Sequence, residues 1–382
     1  MTTDWKKIRN DFPVTKTHAY FLSAAMSPLP LPVYEALAGE YRKVMLDGDI
    51  HYGEDVHKSN LLSADLARLL GTETDNLAFV ASTSTAMSLV ALAFQDRVRK
   101  PFNVVSLEEE FPSSTIGFEH RGIEMRYVRP VNARYSPDSI IAAVDRETVA
   151  VVASFVQYAT GFRLDLEAVG RLLKDKGILF IVNATQGFPY FPIDVKAMNI
   201  DALSCSFHKW GLAGHLGAMF YTSAPFRARF PSPVAGWLSV KGEGGDSIHT
   251  AKNVPLRLRP TAKQYMAGTY NLQPLLAFRV ALDYMKGIGF ENIRRRLFEL
   301  TDYLLAGLSR LGVRVVSPVD RPEERSAIIA FSLGERSGLC LEALASKNIH
   351  VSLRLGLIRA ALNIFNDEGD IDRLLEAIED FR

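Results

Sequence analysis

Two stretches, Leu179-Phe180-Ile181-Val182-Asn183-Ala184-Thr185-Gln186-Gly187 and Ala202-Leu203-Ser204-Cys205-Ser206-Phe207-His208-Lys209-Trp210-Gly211, decide how this chain folds. Each opens with a short, mostly apolar run, ends in polar side chains and closes on glycine. Runs of this length without strict alternation read as strands buried on both faces of a parallel sheet. In such sheets ligands sit in the crevice outside the carboxyl ends of the strands, so the polar tails of both stretches converge on one small molecule.

Outward from this pair the same pattern repeats. Asn76 to Ser82, Asn103 to Leu107, Glu124 to Val128, Val149 to Val156 and Gly217 to Tyr221 read as further strands. Between them lie helical stretches: Thr85 to Val98, a segment capped by Ser136 with Pro137 at its first position, and Leu166 to Lys176 stopped by Gly177. The alternation of strand and helix gives an α/β class with a mostly parallel central sheet sandwiched by helices. From 231 to 262 prolines and glycines break the pattern into a long irregular excursion. A helical region then runs from Leu275 to about Leu311, interrupted near Gly287 and Gly289. After it come a strand-like Ala327 to Leu333, a helix Leu339 to Ser346, an extended Val351 to Leu355 and a helix with Ile371, Leu374, Leu375, Ile378 and Phe381 on one face. These form a smaller α+β unit at the C-terminal end.

Composition narrows the function classes. With 44 basic against 43 acidic residues in 382, nothing favours a nucleic acid or an anionic membrane as partner. Two cysteines, Cys205 and Cys340, make neither a disulfide framework nor a four-thiolate metal site, so no metal is expected and a reducing cytoplasm suits the chain. Met1 to Asp11 is charged with no apolar run behind it, and no signal peptide or membrane anchor is visible.

The chemistry centres on Lys209. A buried lysine at a strand end has a lowered pKa and forms an imine with a carbonyl, and Gly211, Gly214 and Gly217 let the backbone turn closely around it. Ser206 and His208 can hold phosphate oxygens. The run Ser82-Thr83-Ser84-Thr85, between a strand and a helix, is a second anion-binding candidate. Residue chemistry alone leaves plainer readings open: a salt-bridged surface lysine, and an ordinary helix N-cap.

The pattern of an aspartate, two residues and a glutamine, followed later by serine, any residue, histidine and lysine, appears here as Asn183-Ala184-Thr185-Gln186 and Ser206-Phe207-His208-Lys209. With these motifs the whole chain resembles the class V aminotransferase family of fold-type I pyridoxal-phosphate enzymes, the isopenicillin N epimerase-like and cysteine desulfurase-like group. The resemblance implies pyridoxal 5'-phosphate as cofactor, carried by Lys209 as a Schiff base. It implies that Gln186 contacts the phenolic side of the ring, and that Ser206, His208 and Thr83, flanked by Ser82 and Ser84, bind the phosphate. Phe111, in Glu110-Phe111-Pro112-Ser113, would stack on the ring, with core packing as its plainer alternative. Tyr158, with Gln157 and Thr160, approaches cofactor or substrate, and Tyr20 and Trp237 line the substrate pocket. Gly268-Thr269 reaches the phosphate of a neighbouring subunit, which implies a homodimer with a shared active site. Arg359 takes the carboxylate of an amino-acid-like substrate, with Arg354 as its rival and a salt bridge between domains as the alternative role. The implied domains are an N-terminal segment 1–20 near the small domain, a large cofactor-binding domain 21–270 and a small C-terminal domain 271–382.

Two departures from that family qualify the activity. Asn183 stands where the family has an aspartate that keeps the pyridine nitrogen protonated, and an amide stabilises a pyridinium far less. Three readings follow: a weakened variant, an enzyme whose chemistry tolerates an unprotonated ring, or a cofactor-binding protein with little turnover. Cys205 lies inside a strand and Cys340 on a helix with an apolar face, so persulfide chemistry on a mobile cysteine is not expected. The leading expectation is an aminotransferase in which Lys209 removes the α-proton. An epimerase or β-lyase, in which Tyr158 or His215 joins the proton relay, is the alternative, and a non-catalytic homologue the third.

Overall fold

The computed structural model of the chain describes residues 3–242 and 255–381. Seven strands form the large sheet: β1 (Leu77–Val80), β2 (Asn103–Leu107), β3 (Glu124–Val128), β4 (Thr148–Ser154), β5 (Leu179–Asn183), β6 (Ala202–Ser206) and β7 (Ala218–Thr222). Their order is β1-β7-β6-β5-β4-β2-β3. Only β7 runs against its neighbours, pairing antiparallel with both β1 and β6. The expected α/β class with a mostly parallel sheet is the architecture found.

The continuous apolar runs of these strands serve two cores at once, because successive side chains point to opposite faces. On one face Val105, Leu107, Val151, Ala153, Phe180, Val182 and Leu203 join a cluster with Leu166, Val169 and Leu173 of α4 (Leu166–Asp175). Opposite it, Val104, Ala150, Val152, Ile181 and Ala202 pack with Ala86, Met87, Val90 and Phe94 of α3 (Thr83–Arg97). Neither face is left for water, which is why the strands carry few polar residues until their carboxyl ends. There Ser154, Asn183 and Ser206 finish three adjacent parallel strands on the same edge of the sheet.

Two long helices stand ahead of the sheet, α1 (Leu31–Asp47) and α2 (Tyr52–Leu69). Neither follows from the sequence pattern, because α1 leaves Tyr34, Tyr41, Met45 and Leu46 exposed rather than showing one buried stripe. The helical region expected from Leu275 is α5 (Leu272–Ile288) and α6 (Phe290–Arg310), separated at Gly289 with φ of 88°. Only its flanks bear on the excursion expected over 231–262, since 243–254 lie outside the described residues. On those flanks Val240 bridges Leu258.

A second, antiparallel sheet has the order β10-β11-β9-β8, from β8 (Arg314–Val315), β9 (Ile328–Ser332), β10 (Ser352–Arg354) and β11 (Leu357–Ala361). The α7 (Ser337–Ser346) and α8 (Glu368–Phe381) helices cover it, with Cys340, Leu344, Ile371, Leu374 and Ile378 in its core. The expected smaller α+β unit is therefore present. Strand β11 is absent from the sequence reading. It forms a hairpin with β10, joined by Leu355 and Gly356, which have φ of 50° and 76°. Two consecutive left-handed residues make the tight turn that matches strand twist, although Leu-Gly lacks the usual Asn-Gly signature. N-terminal residues tie into this unit, Ala19 and Tyr20 pairing with Ile349 and His350.

Helix α4 docks closely because position 170 has no side chain. A Cβ on Gly170 would lie 1.8 Å from the Met198 carbonyl oxygen. Gly170→Ala is expected to destabilise the fold by about 1–3 kcal/mol through overpacking, read as a lowered urea midpoint with unchanged slope.

Candidate active site

The polar carboxyl ends of β4, β5 and β6 open into a cavity of 390 Å³, closed on another side by the hairpin β10–β11. The register places Ser352 opposite Arg359 and Arg354 opposite Leu357. Ser352 and Arg354, two residues apart, share a face with Arg359, so one face of the hairpin carries both guanidinium groups to the cavity. Arg359 is almost wholly buried. Its Nε donates to Ser352 Oγ at 2.9 Å and its Nη1 to the Tyr158 carbonyl oxygen at 2.6 Å. Arg354 also lines the cavity and is more exposed than Arg359, which is the better fixed of the two guanidinium groups.

Lys209 lies beyond the end of β6, buried, with Nζ 5.0 Å from the centroid of the Phe111 ring. Burial pushes its ammonium down to about 8, and the neighbouring Arg359 and Arg354 charges add to that fall. Burial and Arg354 likewise draw Arg359 down to about 10. Among the described residues lining the cavity there is no aspartate or glutamate, so three cationic side chains share a buried space without a carboxylate on its wall. A cavity of this kind favours anionic ligands, since uncompensated buried charge is costly. Because only the free amine attacks a carbonyl, the rate at which the protein takes up an aldehyde on Lys209 is expected to rise with pH through about 8. Stopped-flow absorbance across that range measures it.

A second anion-binding feature faces the lysine. Helix α3 begins at Thr83, and the Ser82 side chain caps it by accepting from the Thr85 N–H at 3.1 Å. The remaining first-turn N–H groups have no helical partner. Around them Thr83 Oγ1 stands 2.9 Å from Ser206 Oγ, 3.2 Å from Ser204 Oγ and 3.3 Å from Thr185 Oγ1. Hydroxyls, a helix N-terminus and the adjacent imidazole of His208 form a donor set suited to a phosphate. Burial, Lys209 and His215 hold His208 down at about 4, so it meets such a group as a neutral donor.

The remaining expected residues divide. Ser82, Ser84, Phe111, Tyr158, Asn183 and Gln186 all line the same cavity. Phe111 offers a ring wall and meets Tyr158 edge to face at 5.3 Å. Gln186 is held at both ends of its amide, donating to the Ala24 carbonyl and accepting from Trp210 Nε1, each at 2.9 Å. Gly268 and Thr269 line a separate cavity with Phe79, Met266 and Tyr270. Tyr20 and Trp237 are not on the wall around Lys209: Tyr20 turns its hydroxyl to the Met26 carbonyl, and Trp237 is 42% exposed. Gln157 is buried behind the wall against Glu110. The sequence reading singled out neither Ala24 and Ala25, far from the motifs in sequence, nor Ser113, Ser154 and Thr185, which lie beside or at the ends of segments it did recognise. Cys205 and Cys340 are both buried and neither lines the cavity.

The donor set fits pyridoxal 5'-phosphate: a reactive amine, a hydroxyl-lined helix N-terminus, an aromatic wall and two guanidinium groups that can pair with an anion. Comparison with known proteins agrees. Residues 19–374 match the family described as Aminotransferase class-V. A probable cysteine desulfurase of Methanothermobacter thermautotrophicus is 25% identical over 98% of this chain and 97% of its own. An isopenicillin N epimerase of Amycolatopsis lactamdurans is also 25% identical, over 100% and 99%. The apo structure of a cysteine desulfurase from Thermococcus onnurineus NA1 superposes with a TM-score of 0.89 at 21% identity, covering 100% of this chain and 98% of that one. The chain belongs to the class-V aminotransferase family.

Proposed function

We propose that this member of the class-V aminotransferase family is a pyridoxal-phosphate enzyme that removes the α-proton of an amino-acid-like substrate and, as its net reaction, transfers the amino group. The observation that carries this reading is the buried, carboxylate-free cavity in which Lys209, Arg354 and Arg359 face a hydroxyl-lined helix N-terminus. When bound, the cofactor supplies an aldehyde that exchanges between amines and a conjugated ring that accepts charge from the substrate carbon. Lys209, once released as an amine, accepts and returns the α-proton at Nζ. Its low basicity suits both directions near neutral pH. Arg359 holds the substrate carboxylate, Phe111 packs on the ring, and Ser82, Thr83, Ser84, Ser206 and His208 hold the phosphate.

An epimerase or β-lyase is the second reading, favoured by the uncharged amide of Asn183, which limits how much charge the ring can hold. Desulfuration through an enzyme persulfide is not proposed, because neither cysteine reaches the cavity wall. We also propose a homodimer. The support is the exposed apolar set Tyr34, Tyr41, Met45, Leu46, Ile50 and Tyr52 around α1, larger than scattered surface residues need. It is also supported by Gly268 and Thr269 standing apart from their own chain's Lys209 cavity. Among the described residues no helix is long and apolar enough to cross a membrane.

Incubating the cofactor-loaded protein with a panel of amino acids in deuterium oxide tests the reaction type. Keto acid and the aminated cofactor are expected. Exchange or inversion at Cα without keto acid would replace transamination by the epimerase reading, and keto acid plus ammonia would replace it by the lyase. Protein that stays colourless with added pyridoxal phosphate would end the cofactor reading itself.

A further inference from the structure

Beneath the cavity wall runs a chain of hydrogen bonds that the roles above leave unused. Asn183 Oδ1 accepts from the backbone N–H of Thr185 at 3.1 Å. A backbone N–H can only donate, so the amide cannot be reversed: its oxygen faces Thr185 and Nδ2 lies on the other side. There Nδ2 donates to Ser114 Oγ at 3.1 Å. Ser114, wholly buried, is also a neighbour of the Glu110 carboxyl: burial pushes that carboxyl up, and the hydroxyls of Ser154 and Ser114 act in the opposite sense. Glu110 also receives the Ser154 N–H, the Ser154 hydroxyl and Gln157 Nε2. The bonds to Thr185 and Ser114 together fix the sense of the Asn183 amide, and Glu110 backs Ser114 from below. The Asn183 amide lines the cavity and carries no charge, and among the described residues its Nδ2 donates to Ser114 alone, which leaves its second hydrogen for a ligand.

A pyridine nitrogen is either protonated, and needs an acceptor, or unprotonated, and needs a donor. In pyridoxal phosphate that nitrogen lies para to the carbon that joins Lys209, so it falls to a group other than those that serve the amine and the phosphate. We propose that Asn183 donates its remaining Nδ2 hydrogen to the ring nitrogen of the bound cofactor and keeps that nitrogen unprotonated. Ser114 and Glu110 are the positioning residues that hold the amide in this sense. This inference rests on the proposed cofactor site, and its test separates the two.

The protein is loaded with pyridoxal phosphate labelled with ¹⁵N in the ring. Absence of a visible band on loading would sink the cofactor reading, and with it this one. In loaded protein the nitrogen resonance is expected at the unprotonated position, and Asn183→Asp moves it upfield by tens of ppm into the protonated range. Asn183→Ala, which removes the donor, is expected to move the resonance further downfield and weaken cofactor affinity about threefold to tenfold. Ser114→Ala leaves the amide only its Thr185 anchor and broadens the line, while Ser114→Thr restores a sharp one. A visible band together with a protonated resonance in the unaltered protein overturns the donor assignment and leaves the cofactor site standing. A line in Ser114→Ala as sharp and as placed as before removes Ser114 and Glu110 from the account.

Discussion

Lys209→Ala is expected to abolish the visible band that added pyridoxal phosphate gives and to lower turnover by about 10²–10⁴-fold or more, the range for losing a positioned general base. Among the described residues Lys209 is the only amine on the cavity wall, so none of those neighbours can take over. The guanidinium groups of Arg354 and Arg359 are not amines and do not replace Lys209 in an imine. The same substitution is expected to leave the cofactor-free protein at least as stable as before. A desolvated ammonium beside two guanidinium groups works against the fold, and its removal relieves that repulsion. Turnover and thermal midpoint therefore move in opposite or independent directions. A turnover within tenfold of the original, or a collapse of the apo protein, would contradict the role given to Lys209.

The second large effect is expected at Arg359. Arg359→Ala should raise KM for carboxylate-bearing substrates by roughly 30- to 5000-fold, corresponding to about 2–5 kcal/mol for removing one partner of a buried charge pair. Arg359→Lys is not expected to rescue it. The guanidinium spends Nε on Ser352 and Nη1 on the Tyr158 carbonyl, and a lysine cannot satisfy both while pointing a further donor at the substrate. Because the Tyr158 carbonyl is also freed, some loss is structural. A substrate amine that lacks the carboxylate separates the two contributions: its kcat/KM should fall far less than that of the amino acid. Equal losses for both would reduce Arg359 to a structural tie between the hairpin and the strand end after β4.

These two residues also show how far the sequence was informative. Lys209 stood out because its neighbours form a distinctive run after an apolar strand, and the strands themselves were legible because a sheet covered on both faces leaves uninterrupted apolar runs. Arg359 was reached only through resemblance, since its strand β11 pairs with β10 through Leu355-Gly356, a turn whose chemistry does not announce itself. Helices α1 and α2 escaped for a different reason. Their apolar residues face outward as well as inward, so the period that marks an amphipathic helix is blurred. The arrangement of Glu110, Ser114 and Asn183 was beyond any local pattern, because it joins residues far apart in sequence through single atoms. Tyr20 and Trp237, expected to line the substrate pocket, stand off the wall around Lys209 within the single chain, because the direction of neither ring is written in its local sequence.

The hairpin that carries the arginines makes this chain a receptive host for grafting. Its connection is only two residues long and Leu355 at its tip is exposed, while the facing of Arg354 and Arg359 is fixed by strand register rather than by the connection. A segment spliced between Leu355 and Gly356 would extend from the rim of the cavity without shifting either guanidinium group. Chain-closure entropy grows slowly, by about 0.6 kcal/mol for each doubling of loop length, so the splice would be tolerated thermodynamically. A new nucleophile or a covering flap can thus be introduced at that one point, and the two arginines would still present the substrate to it.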